Sequence, residues 1–585
     1  IPTKAQYFAL DFNQLKTKLT AAPNREGFTG KSNLIIEFPT SEGKIEHFRV
    51  WDSPIMHPDL AAKFPMIKTY VAQGIEDPTA YMRFSITQFG LHTMTLSGTK
   101  STNYIDPYTS DLNNYVVYDR NSLGQDTQPF ECLTKEDDAK LRSIEKDRNS
   151  GNTFKADADD MKMRKYRLAQ TCTAEYGNIF TTGGGSDAAN KAEIQAQMTI
   201  TINRVNTVYE IDLGVTLEFI SNNDDCIFYG ATNSDPWNGE YNTATQNFLN
   251  TNIGDANYDI GHNFNTSGGG NAGCLACVCT DGSKGSGMTG RGNPTGDPFD
   301  IDYVAHEMGH QFGGYHTMNT CSRSGNGQTE VEPCSGSSIM GYAGICSVNV
   351  QNNSDAHFNY VNIRDILANI KPGGNSTCSV NTDHANNPPT ADAGDDYVIP
   401  QGTAFVLEGT ATDPDGMGSL TYNWSQNDPA QAPSTSSPVS TWTSGPLYRA
   451  KMPISSPDRY MPVLSSVIAG NLFPTWEKTP TVGRTLNFSF IVRDNDPLGG
   501  QTASDLMKVT VDGASGPFAV TSQNTSGITW NSGGTETVTW NVANTSSGNV
   551  NTPNVDIFLS VDGGYTYPYT LASAVPNNGS ASVTV

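Results

Sequence analysis

The chain has 585 residues, with 36 Lys and Arg against 60 Asp and Glu, which gives a formal net charge of −24. This acidic balance argues against nucleic acid or an anionic membrane surface as a partner, and no stretch approaches the roughly 18 apolar residues of a membrane span. The length exceeds what one hydrophobic core supports, so several domains are expected.

The first 133 residues are typical of a β-rich domain. Apolar and polar residues alternate in runs such as 33–38 and 81–86, which is the period of strands. A short helix is predicted at 58–64. Residues 134–164 are charged and poor in apolar side chains, so they cannot bury enough surface to fold alone. We predict an exposed, cleavable linker there.

Residues 165–379 alternate between strand and helix patterns, which is typical of an α/β domain. The predicted elements are, in chain order, a strand at 166–169, a helix at 185–209 capped by Ser186 or Asp187, a strand at 215–220, a helix at 239–251 and a strand within 258–264. His262 and His357 lack the spacing of metal ligands, and we interpret them as packing or surface residues.

The segment 304–316 has the spacing H-E-x-x-H-x-x-G-x-x-H. His306 and His310 are four residues apart, so on a helix their rings lie on one face about one turn apart. That separation suits two nitrogen ligands of one Zn²⁺. Gly313 lets the chain leave the helix through a left-handed turn, and His316 can then return as the third ligand.

Glu307 lies next to the first ligand and can reach a metal-bound water without binding the metal itself. Three protein ligands leave the fourth position open, which is typical of a catalytic zinc site. The alternative is a surface helix that contains histidines by coincidence. The flanking sequence favours a buried helix: Asp297 is a candidate N-cap, Pro298 suits the first helical position, and an apolar stripe follows at Ile301, Val304, Ala305, Met308 and Phe312.

Downstream, the run 337–342 reads S-S-I-M-G-Y. A methionine at this distance after the long histidine motif is the Met-turn of the metzincins, so the chain resembles the metzincin metallopeptidases. It is most similar, over about 165–375, to bacterial secreted reprolysin-like (adamalysin-like) peptidases. The resemblance places Met340 beneath the histidines and Tyr342 near the metal, where it stabilises the tetrahedral intermediate. Thr317 departs from the residues that astacins, adamalysins and serralysins have after the third histidine.

The resemblance also implies a mechanism. His306, His310 and His316 hold one Zn²⁺, which activates water and polarises the scissile carbonyl. Glu307 moves the proton from the water to the leaving amine, and Tyr342 supports the oxyanion. The segment 275–278 is expected to be the edge strand that pairs with substrate backbone.

A β-rich domain and a charged linker ahead of a peptidase domain form the layout of a proenzyme. Metzincin prosegments often block the metal with a thiolate or a carboxylate, and Cys132 is the one cysteine before the linker. A thiolate would fill the open zinc position. The even total of ten cysteines argues for the alternative, in which Cys132 forms a disulfide with the peptidase domain.

The other nine cysteines lie between 172 and 378. Their number favours disulfides in an oxidising compartment over a second zinc site at Cys274, Cys277 and Cys279. We therefore expect a secreted, monomeric protein whose signal peptide is already absent, because the chain starts at Ile1 without a leader. The final residues are typical of a strand, so the chain is expected to stop short of a natural end.

After a polar linker at 380–388, residues 389–513 are typical of a β-sandwich resembling PKD-like and cadherin-like modules, and 514–585 of a smaller immunoglobulin-like one. Acidic loop residues in the first sandwich resemble calcium ligands, although turn chemistry explains the same pattern. The candidate Ca²⁺ ligands are Asp392, Asp395, Asp396, Asp413, Asp415, Asp494 and Asp496.

The predicted function is a secreted zinc endopeptidase in its proenzyme form, acting on peptide bonds of extracellular proteins. A first alternative is a surface adhesin whose peptidase domain is inactive and whose β-sandwiches bind the partner. A second is a zinc amidase or esterase that acts on a non-peptide substrate. The intact set of three histidines with Glu307 argues against an inactive domain.

Overall fold

The computed structural model describes residues 2–124, 130–136, 157–231, 234–321, 329–429 and 437–585. These residues form an N-terminal domain, a central domain and two C-terminal modules. The predicted class is confirmed: a β-rich first part, a mixed sheet with long helices in the centre and all-β sheets at the end. Most of the predicted linker, 137–156, lies outside the described residues.

The N-terminal domain contains strands β1 (Gln6–Ala9), β2 (Ile35–Pro39), β3 (Ile45–Asp52), β4 (Lys68–Gly74), β5 (Tyr81–Thr87), β6 (Gly90–Leu96), β7 (Asn103–Pro107) and β8 (Asn114–Asp119), with helices α1 (Phe12–Leu19) and α2 (Pro58–Lys63). The strands form one antiparallel sheet in the order β1-β8-β7-β6-β5-β4-β3-β2. Because side chains alternate between the faces of a strand, one face builds a core around Phe38 and Phe84. The other face, with Trp51 and Val71, belongs to the buried cluster of the central domain.

The central domain contains strands β9 (Lys162–Cys172), β10 (Val215–Phe219), β11 (Ile260–Asn265), β12 (Gly270–Asn271), β13 (Gly287–Gly290) and β14 (Val380–Asp383), and helices α3 (Ala174–Phe180), α4 (Asp187–Leu213), α5 (Asn242–Asn252), α6 (His306–Phe312) and α7 (Tyr360–Ile370). The sheet order is β10-β9-β11-β13-β12, and β14 also pairs with β9. Strands β10, β9, β11 and β13 are parallel, whereas β12 and β14 run antiparallel to their neighbours.

Helix α4 is the long helix expected at 185–209, and it extends to Leu213. The Ser186 side chain accepts a hydrogen bond from the amide of Ala189, and Gly214 ends the helix with φ 60°. A positive φ at that position favours glycine because it has no Cβ. The helix is buried almost throughout, since the N-terminal domain covers the side that the central sheet leaves open.

The first C-terminal module contains strands β15 (Thr390–Asp392), β16 (Tyr397–Pro400), β17 (Phe405–Leu407), β18 (Thr410–Thr412), β19 (Thr421–Gln426), β20 (Arg459–Met461), β21 (Arg484–Arg493) and β22 (Thr502–Asp512), with the short helix α8 (Leu464–Ile468). Its main sheet has the order β16-β22-β21-β19. The second module contains β23 (Ala519–Val520), β24 (Thr535–Asn541), β25 (Asn554–Leu559), β26 (Tyr569–Pro576) and β27 (Ser580–Thr584). Its sheets are β23-β24-β27 and β25-β26.

The boundary at the C-terminal end of the central domain differs from the predicted layout. The expected linker at 380–388 begins with β14, which pairs with β9 and so extends the central sheet. The first C-terminal module also contacts the central domain, because Arg493 and Asp212 form a buried ion pair between it and α4. A cluster of polar residues predicts a linker. A mostly exposed edge strand such as β14 is equally polar, so composition does not distinguish the two.

Three disulfides confirm the preference for disulfide chemistry over a second zinc site. They join Cys274 to Cys277, Cys279 to Cys378, and Cys321 to Cys346. Cys132 is not part of a disulfide. In the described ranges, none of the helices combines the length and the hydropathy that crossing a bilayer requires.

Candidate metal centre

The histidine motif lies on α6 and the turn that follows it. A π-helical stretch, Pro298–Ala305, leads into α6, and the five residues of the predicted apolar stripe are all fully buried. Gly313 has φ 111° and its amide bonds to the carbonyl of His310, so the helix ends there as predicted. The turn brings His316 back toward the helix.

The three histidine rings meet at one point. The Nε2 atoms of His306, His310 and His316 are 3.1–3.2 Å from one another. Their Nδ1 atoms face acceptors: the carbonyl of Ile339 is 2.7 Å from His306, and the carbonyl of Gly314 is 2.7 Å from His310. A proton held on Nδ1 leaves the Nε2 lone pair available for a metal.

The donor set fits Zn²⁺. Nitrogen ligands at about 2.0–2.1 Å in a tetrahedral arrangement lie about 3.3 Å from one another, close to the observed separations. The three Nε2 lone pairs point at one another and repel unless a cation lies between them. The arrangement therefore favours a bound metal ion. Among the described residues, one group of His, Cys, Asp and Glu atoms is close enough to share a metal, and it consists of these histidines and Cys132, with all ligand atoms within 4.8 Å.

Glu307 is fully buried beside the three rings. Burial raises the pKa of Glu307 to about 8, although hydrogen bonds from Cys132 and Thr134 oppose the shift. Its carboxylate lies against β12, where a Cβ at Gly270 would be 2.2 Å from Glu307 Oε1. A glycine in β12 therefore leaves room for the carboxylate.

Met340 and Tyr342 lie where the resemblance placed them. Met340 is fully buried, and its sulfur packs so closely beneath α6 that a Cβ at Gly309 would be 2.7 Å from Sδ. The Tyr342 ring is 4.8 Å from the His316 ring and 5.9 Å from the His306 ring, measured between centroids. The tyrosine hydroxyl can therefore reach a group bound next to the metal.

Cys132 reaches the same centre from the segment 130–136, which we call the cleft segment. Its Sγ is 3.6 Å from His310 Nε2, and a thiolate at about 2.3 Å from Zn²⁺ would lie about 3.6 Å from a nitrogen ligand. Burial, followed by the charge of Glu307, raises the pKa of the Cys132 thiol, whereas a coordinating metal ion removes the thiol proton outright.

The cleft segment pairs with β12 through a single parallel β-bridge between Cys132 and Gly270. Leu133 donates to the carbonyl of Gly270 and Gly270 donates to the carbonyl of Glu131, in parallel register. The exposed edge of the sheet is thus β12, and the expectation of an edge strand at 275–278 is wrong. The amides of Ala276 and Cys277 instead bond to the carbonyls of His310 and Gln311 at the end of α6.

Two further cleft-segment residues contact the centre, and the sequence analysis assigned both to the linker. Thr134 Oγ1 donates to Glu307 Oε2 at 3.0 Å. The Glu136 carboxylate accepts a hydrogen bond from the His316 amide at 2.6 Å and lies 2.9 Å from His316 Nδ1. Their charged surroundings indicated solvent exposure, and no local pattern marks them as site residues.

Asp297 was expected to cap the helix, but it makes no capping hydrogen bond. Its carboxylate instead accepts hydrogen bonds from Arg120 and Tyr104 of the N-terminal domain. Pro298 stands at the start of the helical stretch as predicted. His262 is buried between Gln311 and Thr289, in line with a packing role.

The acidic residues of the first C-terminal module make turn contacts. Asp392, Asp413 and Asp494 each accept a hydrogen bond from the amide two residues later. Asp396 accepts from Lys508, Asp415 from Asn387, and Asp496 from Leu498. Ca²⁺ binding by this module stays a prediction.

Comparison with protein families agrees with the geometry. Residues 163–370 match the family model described as Metallo-peptidase family M12B Reprolysin-like. A search of curated proteins found no match. The matched range contains the whole histidine centre, with Met340 and Tyr342. Residues 163–370 therefore have the sequence of a reprolysin-like M12B metallopeptidase domain, as the resemblance implied, and their histidine cluster fits a zinc site.

Proposed function

We propose that this protein, which carries an M12B reprolysin-like metallopeptidase domain, is a secreted zinc endopeptidase in its latent proenzyme form. The observation that carries the proposal is the convergence of His306, His310 and His316 beside the buried carboxylate of Glu307. The three disulfides support an oxidising, extracellular location. We expect a monomer that acts on extracellular proteins.

The three histidines would hold Zn²⁺, which supplies Lewis acidity and makes water a nucleophile near neutral pH. Glu307 takes the proton from the attacking water and passes it to the leaving amine. Its position beside the three histidines suits both transfers, because it lies next to the group where a bound water would be. Tyr342 donates a hydrogen bond to the oxyanion.

Substrate would bind along β12. Its edge is the one that the cleft segment pairs with through Gly270, and strand addition is a general way to bind extended peptides. The same edge cannot hold the cleft segment and a substrate at once. Peptide hydrolysis therefore requires that the segment leave.

We assign latency to the cleft segment. Cys132 would occupy the fourth zinc position, Thr134 bonds to the proton-transfer group, and the hydroxyl of Tyr342 lies 3.5 Å from the carbonyl of Cys132. Phe130 stacks on Tyr303 at 3.7 Å between ring centroids and anchors the start of the segment. Cleavage in the charged linker, near 148–165, would allow the segment to leave the central domain; residues 137–156 of this linker lie outside the described residues.

The test is hydrolysis of casein by the protein after cleavage of the linker, with and without a zinc chelator. Chelator-sensitive hydrolysis supports an endopeptidase. Activity on small amides or esters alone would favour the amidase or esterase. Zinc binding without any hydrolysis after the linker is cut would favour the inactive adhesin, which the retained Glu307 argues against.

A further inference from the structure

We propose that Glu136 is a positioning residue of the proenzyme's metal site: it orients His316, the third metal ligand. As a result, the proenzyme binds zinc more tightly than the enzyme that has lost its prosegment. This inference rests on the proposed function. It gives the cleft segment a second role, because the peptide that blocks the site also retains its metal.

The contact is buried and specific. Glu136 Oε1 accepts a hydrogen bond from the amide of His316 and lies 2.9 Å from the ring nitrogen Nδ1. The side chains of Glu136 and His316 are 7% and 4% exposed. A bond to both the backbone and the ring fixes the position of the residue and the rotation of its imidazole.

His316 differs from the other two ligands in its surroundings. His306 and His310 lie on α6 and face backbone carbonyls of the central domain. His316 lies beyond the helix end, past Gly313, and its Nδ1 faces a full negative charge from the cleft segment. A carboxylate partner makes an imidazole a stronger ligand than a carbonyl does, and loss of such a partner typically lowers metal affinity 10–100-fold.

Charge balance points the same way. Three neutral histidines leave both positive charges of Zn²⁺ uncompensated in a buried site, which is unfavourable. The thiolate of Cys132 beside His310 and the carboxylate of Glu136 beside His316 would together supply two negative charges. Thr134 lies between them in sequence and bonds to Glu307. Every second residue of the segment from Cys132 to Glu136 therefore contacts the metal site.

The experiment measures zinc affinity of the full-length, uncleaved protein by competition with a chromogenic chelator. Glu136→Gln should weaken zinc binding by about 10–100-fold. Glu131→Gln is the matched control. Glu131 belongs to the same segment and its side chain is exposed, and its hydrogen bond with β12 is made by the backbone carbonyl. It should leave zinc affinity unchanged.

Cobalt substitution separates positioning from docking. A thiolate from Cys132 bound to Co²⁺ gives a charge-transfer absorption that reports whether the segment is still in the cleft. We expect this band to persist in Glu136→Gln while zinc affinity falls. Loss of the band would show that Glu136 only docks the segment, and equal affinity in Glu136→Gln and wild type would show that it does not act on the metal. Either result overturns the inference.

Failure of the proposed function would look different. A wild-type protein that binds no zinc, or that binds zinc and hydrolyses nothing after its linker is cut, would contradict the peptidase assignment. In contrast, a chelator-sensitive peptidase whose Glu136→Gln variant keeps wild-type zinc affinity would contradict the role of Glu136 alone.

Discussion

Arg493 of the first C-terminal module forms a buried ion pair with Asp212 at the end of α4. The other oxygen of Asp212 accepts the amide of Phe358, and the carbonyl of Phe358 accepts a hydrogen bond from Arg493. The neighbouring residue, His357, bonds through its carbonyl to the amide of Ile339, whose own carbonyl is the partner of the first metal ligand. The module thus supports the Met-turn region from outside the peptidase domain.

Replacing Arg493 with Met should destabilise this interface. The change leaves the carboxylate of Asp212 buried without its cation, which typically costs 3–5 kcal/mol, an order-of-magnitude figure for breaking a buried pair. The measurement is the urea midpoint of the transition that includes the central domain. Lys508→Met is the control, because Lys508 forms an exposed pair with Asp396 in the same module, and exposed pairs contribute about 0–1 kcal/mol. Equal midpoints for the two variants would contradict a supporting role.

Glu307→Gln should keep zinc and lose proteolysis by several orders of magnitude, because an amide cannot accept the proton of the attacking water. His306→Ala should instead lose the metal. Elemental analysis and casein hydrolysis, both on protein with a cleaved linker, check the two variants. Near wild-type activity in Glu307→Gln would refute its role in proton transfer.

Tyr342→Phe should lower kcat by roughly 10²–10³, or about 2.7–4 kcal/mol, the range for one oxyanion donor. Its zinc content should match that of the wild type, since the hydroxyl is assigned to the oxyanion and not to the metal. Steady-state kinetics on a peptide substrate provide the measurement. An unchanged kcat would assign Tyr342 to packing against the His316 ring.

Cys132→Ala should give the full-length protein measurable activity without cleavage, because the thiolate no longer fills the fourth zinc position and the segment is held in the cleft by its remaining contacts alone. In the wild-type proenzyme, a thiol reagent should label Cys132 only after a chelator removes the metal. A latent Cys132→Ala variant that loses its prosegment after cleavage would favour the disulfide alternative, although Cys132 is outside the three disulfides here.

Low pH should help the N-terminal domain to leave. Burial alone would raise the pKa of Glu210 on α4, but Arg25 and Arg83 of the N-terminal domain outweigh it and hold the pKa well below its usual range. A depressed folded-state pKa gives stability that is present above the unfolded value of about 4.3 and is lost as pH falls below it. We expect the N-terminal domain of the linker-cleaved protein to dissociate more readily below about pH 4 than at pH 7 on size-exclusion chromatography.

Glu210→Gln tests the same contact without a change of pH. It leaves two arginines facing a neutral side chain, so at pH 7 the cleaved N-terminal domain of this variant should dissociate more readily than that of the wild type. Glu42→Gln is the control, because Glu42 pairs with Lys44 on the surface of the same domain. Dissociation that is equal in both variants would contradict the assignment of docking to Glu210.

The sequence alone determined the features that depend on neighbours along the chain. The spacing of His306 and His310 fixes their common helix face, and Gly313 permits the turn that returns His316. Ser186 likewise marks the start of α4, because a cap acts on amides two or three residues away. The alternation of apolar residues also placed individual strands, such as β2, β5 and β10, within about two residues of their observed bounds.

The tertiary structure alone decided which distant residues meet. The sequence predicts Asp297 as a helix cap, yet in the structure its carboxylate forms an ion pair with Arg120 of the N-terminal domain. Thr134 and Glu136 look solvated, yet the cleft segment adds to β12 and carries both into the metal centre. Composition reports only the average surroundings of a segment, whereas an ion pair or a strand addition depends on the particular partner that the fold brings within hydrogen-bond distance.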